Sequence, residues 1–322
     1  RGCPGGDAGT NHGVYDAAMN SVVITGASGF IGRHLVSYLV QQNIDVYAIT
    51  RNENSCLAQM PKTPRLHIVV GDYVTDDLYQ ELPQNPLAFL HLAWSGVQAQ
   101  ERNAPEVQTA NLSYCLNAVA LAERLHAEKF ILPGSTMEYA YCGQAINKNA
   151  LPTPLNFYGA AKLSARYLCQ IACQNRKIPF IYTVISGVYG ADRKDGNIIS
   201  YTIDELLHGR IPKYTKLEQK WDYVHIDDVV RAFLCVIQKG KPDSFYVIGH
   251  GDNCPLSDYI YQIRDVIEPG APLDIGAIPY QNGKLPESCV DLTAIEKDTG
   301  FTPSIAFEDG IRAIIAKSRE EL

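Results

Sequence analysis

The sequence predicts an α/β fold, a doubly wound parallel sheet with a smaller C-terminal α/β lobe, on three observations. Short β-branched runs alternate with stretches of helical periodicity up to Ser186. The first run breaks into a glycine turn and then a helical pattern, and beyond Gly187 the alternation gives way to a Gly-rich, less regular segment. A chain of 322 residues suits one large fold unit with an appended lobe better than two independent domains.

Ser21 to Thr25 reads as the first strand and Gly26-Ala27-Ser28-Gly29-Phe30-Ile31-Gly32 as a phosphate loop opening a helix. Gly26 permits the tight turn, Gly29 lets backbone approach a pyrophosphate, and Gly32 lets the helix sit close to the strand. The loop amides and the helix N-terminus then face an anion. The spacing is G-x-x-G-x-x-G, a departure from the G-x-G-x-x-G of ordinary dinucleotide-binding dehydrogenases. Helical spacing runs from Gly32 to Val40, and Ile44 to Thr50 is a second strand. Arg51 ends that strand about 25 residues beyond Gly26, where a Rossmann unit contacts the adenosine ribose. An acid there would bind the 2′-hydroxyl of NAD, whereas an arginine pairs with the 2′-phosphate of NADP, and Arg33 is placed to assist.

Leu66 to Val70, then Gly71-Asp72-Tyr73, gives a third strand with an acid at its carboxyl end. Asp72 either accepts from an adenine amino group or caps the following segment. Leu87 to Leu92 is a fourth strand containing His91, read as a core residue. It leads through Ala93 to Trp94 and Ser95, which would point toward substrate. Ala104 to Ala127 reads as a long helix carrying Asn111, and Lys129 to Leu132 as a strand delivering Ser135 to the sheet's carboxyl edge. Tyr158 and Lys162 stand at i and i+4, on one face of the next helix. Pro179 to Ser186 is a sixth strand. A helix through Ile198 to Leu207, another from Val229 to Ile237, a strand at Tyr246 to Gly249 and two late helices complete the chain.

A net charge of −7 without a long basic run argues against nucleic acid as a partner. No apolar stretch reaches the roughly 18 residues a membrane span needs. The 9 cysteines include no C-x-x-C pair, Cys169 and Cys173 read as small core residues, no metal site is expected, and the chain reads as a reduced, cytoplasmic protein. Residues 1–18, Gly-rich and preceding Met19, read as a leader or tag. The Rossmann domain is assigned to 19–186 and the substrate lobe mainly to 187–322, with segments near 222–250 returning to the Rossmann domain.

Taken together, Gly26, Gly29 and Gly32, the Gly71-Asp72 pair, Asn111, Ser135, Tyr158-x-x-x-Lys162, Val188-Tyr189-Gly190, Tyr223 to Asp228 and Gly300-Phe301-Thr302-Pro303 resemble an extended short-chain dehydrogenase/reductase. The group is that of the NAD(P)-dependent nucleotide-sugar epimerases, dehydratases and reductases. The resemblance implies that Tyr158 is acid or base on a sugar hydroxyl or ketone, and that Lys162 favours the phenolate and holds the nicotinamide ribose. It implies further that Ser135 hydrogen-bonds the reacting oxygen and that Asn111 supports the lysine and a bound water. The cofactor set it implies is Gly26, Gly29, Phe30, Ile31, Gly32, Arg33, Arg51, Asp72, Tyr73, Leu92, Ala93, Tyr158, Lys162 and Val188. The substrate set is Trp94, Ser95, Thr136, Glu138 and Asn197, and a homodimer through the helices of Asn111 and Tyr158 would bury Leu112, Leu116 and Leu168.

Departures from the family pattern narrow the reaction. The dehydratases' Asp-Glu pair is Thr136 and Met137 here, and the cysteine of enzymes that also invert carbons 3 and 5 is Met137. The diphosphate-binding arginine is Trp221, leaving Lys220, Arg193 or Lys194 as weaker candidates, and the family residue two places before Tyr189 is replaced by Gly187. The expected activity is NADP(H)-dependent reduction of a nucleotide-linked 4-keto (deoxy)sugar at carbon 4, with NAD(H) possible as cofactor. The alternatives are a nucleotide-sugar 4-epimerase with bound NAD and, from another class, a non-catalytic NADP-binding sensor or scaffold.

Overall fold

The structure is a computed structural model that describes residues 20–191, 193, 196–280 and 285–320. The expected leader and Lys194 lie outside the described residues. In chain order the first half contains β1 (Ser21–Thr25), α1 (Phe30–Gln41), β2 (Asp45–Thr50), β3 (Leu66–Val70), β4 (Ala88–His91), α2 (Pro105–Arg124), β5 (Phe130–Ser135), α3 (Phe157–Arg176) and β6 (Phe180–Ile185). The second half begins with β7 (Gly187–Tyr189), α4 (Ile198–Leu207), β8 (Lys213–Tyr214), β9 (Lys220–Trp221), β10 (Tyr223–His225) and α5 (Ile226–Lys239). It ends with β11 (Ser244–Ile248), β12 (Cys254–Pro255), α6 (Leu256–Ile267), β13 (Asp274–Ile275), α7 (Thr293–Thr299) and α8 (Phe307–Glu320).

Seven strands form one sheet in the order β11-β6-β5-β4-β1-β2-β3, and every pairing in it is parallel. The order reverses between β1 and β4, so the chain leaves their carboxyl ends in opposite directions and opens a crevice there. Alternate residues of each strand feed opposite layers. Val22 and Ile24 pack with α1 and α5, while Val23 and Phe89 pack with α2 and α3. Both faces being covered, the strands read as near-continuous apolar runs. A third apolar cluster, with Ile203, Tyr259, Phe307 and Ile311 at its centre, holds α4, α6 and α8 together in the second lobe.

β11 returns to the sheet from that lobe and pairs β6 in register from Ser244 against Ile181 to Ile248 against Ile185. The buried Asp222 ties the return together, its carboxylate accepting from the amides of His250 at 2.9 Å and Gly251 at 2.6 Å. α5 begins at Ile226, three residues earlier than apolar spacing indicated. The polar first turn is the reason: His225 Nδ1 accepts from the Asp227 amide, and buried Asp228 accepts from the amides of Ser304 and Ile305 at 3.0 Å each. Three helices, not two, follow β11 among the described residues. No described helix is long and apolar enough to cross a membrane.

Two glycines fix how β1, its loop and α1 meet. Gly26 has φ +68°, and a Cβ there would stand 2.4 Å from the Ala93 amide nitrogen; a Cβ on Gly32 would stand 2.3 Å from the Gly26 carbonyl oxygen. Gly32→Ala must therefore push α1 off the loop. It is expected to cost about 1–3 kcal/mol, measured as a lower urea midpoint at unchanged slope, and to weaken dinucleotide binding.

Candidate active site

The crevice at the β1/β4 reversal is a cavity of about 240 Å³ lined by Gly26 and Gly29, by Arg51, Tyr73, Leu92 and Ala93, and by Trp94, Ser95, Asn111 and Tyr114. Gly29 sits at the N-cap of α1 without a side-chain cap, so the first-turn amides have no side-chain acceptor from it. A glycine cradle that a Cβ would fill, open helix amides and an arginine at the far wall fit the pyrophosphate and ribose of a dinucleotide. Arg51 lies 6.0 Å from the Tyr114 ring, whose hydroxyl donates to Asp72 at 3.1 Å.

The strand β5 and the helix α3 bring Ser135, Tyr158 and Lys162 together beside this cavity. Lys162 is buried, donates to the Pro133 carbonyl at 3.1 Å, and has its ammonium 3.9 Å from the centre of the Trp94 ring. Burial lowers its pKa to about 8, with the Cys115 thiol and Glu138 pulling the other way. Trp94 stands edge-on to Tyr158 at 6.0 Å, and its indole N–H donates to Gln108 at 3.0 Å. Burial pushes the Tyr158 phenol above its ordinary value, while hydrogen bonding to Ser135 and the charges of Arg102 and Arg193 act to lower it. The Arg102 guanidinium faces the Tyr158 ring at 5.7 Å. Lys162 thus stands one turn from Tyr158, its ammonium 6.0 Å from the centre of the phenol ring.

The other expected site residues are placed as follows. Glu138 and Thr136 are buried in a short 3-10 helix at Thr136–Glu138, whose acid reaches back to Ser135. Asn111 lies on the crevice wall. Its amide pins the Ser95 backbone, accepting from the Ser95 N–H at 2.8 Å and donating to its carbonyl at 3.1 Å. The Asp72 carboxylate is engaged by the Val74 amide and by Tyr114, and it is its neighbours Gly71 and Tyr73 that line the cavity. Phe30, Ile31, Gly32 and Arg33 form the first turn of α1, with Arg33 over the Phe30 ring at 5.3 Å. Val188 is buried in β7, and its carbonyl accepts from Arg193.

Asn197 caps α4, accepting from the amides of Ile199 and Ser200, and lines a second cavity of about 590 Å³ with Tyr189, Arg193 and Lys317. Trp221 is held in the second lobe, its carbonyl accepting from the Tyr259 hydroxyl at 3.2 Å. His91 is buried, with Nδ1 2.7 Å from the Thr25 hydroxyl. Sequence reasoning missed Arg102, Gln108 and Tyr114. Gln108, on the same face of α2 as Asn111, was legible from spacing; Arg102 reaches Tyr158 only through the packing of α2 on α3.

The sequence matches the NAD dependent epimerase/dehydratase family over residues 22–249. The chain belongs to that family. It is an enzyme family, and the fold and paired tyrosine and lysine accord with membership. Among curated relatives the chain is similar to the CDP-abequose synthase of Salmonella typhimurium, 24% identical over 92% of this chain and 97% of that one. It is similar also to the GDP-6-deoxy-D-mannose reductase of Pseudomonas aeruginosa, 24% identical over 91% and 95%. Among solved structures the UDP-glucuronic acid 4-epimerase of Bacillus cereus, in complex with UDP-glucuronic acid and NAD, superimposes with a TM-score of 0.81 at 20% identity, over 94% of this chain and 100% of that one.

Glu138 carries a pH prediction. Burial raises its carboxyl from the ordinary 4.5 to about 7, against hydrogen bonds from Ser135 and Tyr182 that lower it. The folded state holds this proton more tightly, so the associated stability is full below pH 4.5 and is lost as pH rises through 7. Between those limits Glu138→Gln should gain on wild type by up to about 3 kcal/mol, read from urea melts across the window.

Proposed function

We propose that the enzyme reduces a nucleotide-linked 4-keto (deoxy)sugar at carbon 4 with NADPH, residues 187–322 mainly forming the substrate lobe. The observation that carries this reading is Arg51 on the wall of the cofactor crevice at the carboxyl end of β2, where an acid would favour NAD. The departures from dehydratase pattern at Thr136 and Met137 support reduction over dehydration. The similarity to a CDP-abequose synthase and a GDP-6-deoxy-D-mannose reductase is of the same kind. The similarity to NAD-bound 4-epimerases favours the second reading, a nucleotide-sugar 4-epimerase.

When bound, the nicotinamide supplies the hydride, and the chain supplies position and a proton. Lys162, held by Pro133 and covered by Trp94, lies one turn from Tyr158 and electrostatically favours its phenolate. The Ser135 oxygen already accepts from the Met137 N–H at 3.2 Å, which leaves its own proton to donate to the carbonyl oxygen of the ketone as charge develops there. Tyr158 then delivers the proton that turns this oxygen into the hydroxyl, and Lys162 favours the phenolate left behind. The exposed Leu116, Tyr167, Leu168 and Ile171 on the outer faces of α2 and α3 support a homodimer through this helix pair. Leu112, expected in that contact, packs instead against the core.

Titration of both cofactors by fluorescence should give tighter binding of NADPH than NADH. Arg51→Ala should lose about one to two decades for NADPH alone; equal wild-type affinities would favour the epimerase. In single-turnover oxidation of NADPH by a nucleotide-linked 4-keto-6-deoxyhexose, Tyr158→Phe should slow the rate constant by about 10²–10⁴-fold while leaving NADPH affinity intact. Light scattering at micromolar concentration should return a dimer mass, and a monomer would refute the α2/α3 contact.

A further inference from the structure

We propose that Glu138 is a positioning residue that locks Ser135 and Tyr158 into one geometry through the turn at 136–138. The inference rests on the reading of those two as the groups at the reacting oxygen. On one side, the Glu138 carboxylate accepts from the Ser135 N–H at 2.6 Å and from the Tyr182 hydroxyl at 2.8 Å. The Ser135 hydroxyl oxygen in turn accepts from the Met137 N–H, so acid and serine close a reciprocal box around the turn. Space is reserved for this link: a Cβ on Gly134 would stand 2.1 Å from the Tyr182 hydroxyl oxygen and 2.4 Å from Glu138 Oε1.

On the other side, the same turn carries the start of α3. The Met137 carbonyl accepts from the Leu155 N–H at 2.9 Å and the Glu138 carbonyl from the Thr153 N–H at 2.8 Å. Asn156 then caps α3 by accepting from the Gly159 N–H at 2.9 Å, and a Cβ on Gly159 would stand 2.4 Å from the Met137 carbonyl oxygen. Tyr158 lies between these two anchors. Glu138 is wholly buried, and an acid removed from water is costly unless its oxygens are satisfied. Here Oε1 accepts from the Ser135 N–H, and the Tyr182 hydroxyl on β6 is shared between Oε1 and Oε2 at 2.8 Å each. Lys162 and Arg166 add opposing charge nearby.

The test is a double-mutant cycle read in the single-turnover oxidation of NADPH by a nucleotide-linked 4-keto-6-deoxyhexose. Glu138→Ala should slow the rate constant about 10–100-fold with Ser135 present and by a several-fold smaller factor in the Ser135→Ala background, where only the effect through Tyr158 is left, since groups acting through one another are not additive. Glu138→Gln, which keeps an acceptor for the Ser135 N–H, should restore most of the loss. Equal fold-losses in both backgrounds, or no loss with Ser135 present, overturn the inference. If Glu138→Ala does not fold, Tyr182→Phe takes its place, with a loss of a few fold expected only when Ser135 is present. A wild type with no turnover overturns the reading of the reaction and this inference with it. A Tyr158→Phe enzyme as fast as wild type overturns the assignment of Tyr158 and the coupling together, whereas equal losses on Glu138 change overturn the coupling alone.

Discussion

The close approach of Gly26 to the chain leaving β4 is the constraint on which the rest depends. With no side chain at that point, the β1 loop lies against Ala93, and with none at Gly32 the helix α1 sits on the loop. The reversal of strand order at β1 and β4 is therefore tight on the loop side and open above it, where Arg51, Tyr73 and Trp94 line a crevice. A bulkier loop would separate the layers that α1 and α5 complete on that face of the sheet.

From that crevice the chemistry is assembled by packing rather than by adjacency in sequence. The helices α2 and α3 lie side by side, so Gln108 on the first orients Trp94, and Trp94 covers Lys162 on the second. Lys162 is desolvated by this enclosure, which brings its pKa down to about 8. The same burial that raises the Tyr158 phenol thus holds its cationic neighbour close to the point of losing charge. Both shifts have one cause, burial disfavouring the charged form of each group.

The buried acids divide by what they hold. Asp222 fastens the end of β11 to the second lobe and Asp228 fastens the first turn of α5 to the segment at Ser304. Glu138 fastens the serine turn. Each carboxyl group accepts from backbone amides, which offsets part of the cost of removing it from water, and each sits where two parts of the fold must keep register.

The sequence by itself determined the seven-strand order of events: β-branched runs, glycine spacing and helical periodicity located every strand of the main sheet and the helices between them, because these are local signals with fixed periods. It also delivered Ser135 to the carboxyl edge of the sheet, set Tyr158 and Lys162 on one helix face and put Arg51 at the end of β2, since position along a strand or helix follows from counting. What only the tertiary structure decided is which way short polar side chains turn. Glu138 turns back to the Ser135 N–H, and Asn111 on α2 pins the Ser95 backbone beyond β4. Arg102 reaches the Tyr158 ring from a turn that no spacing rule connects to it. These contacts depend on the mutual rotation of α2, α3 and the β5 turn. That rotation is set by the summed packing of the core between them, which no short stretch of sequence encodes.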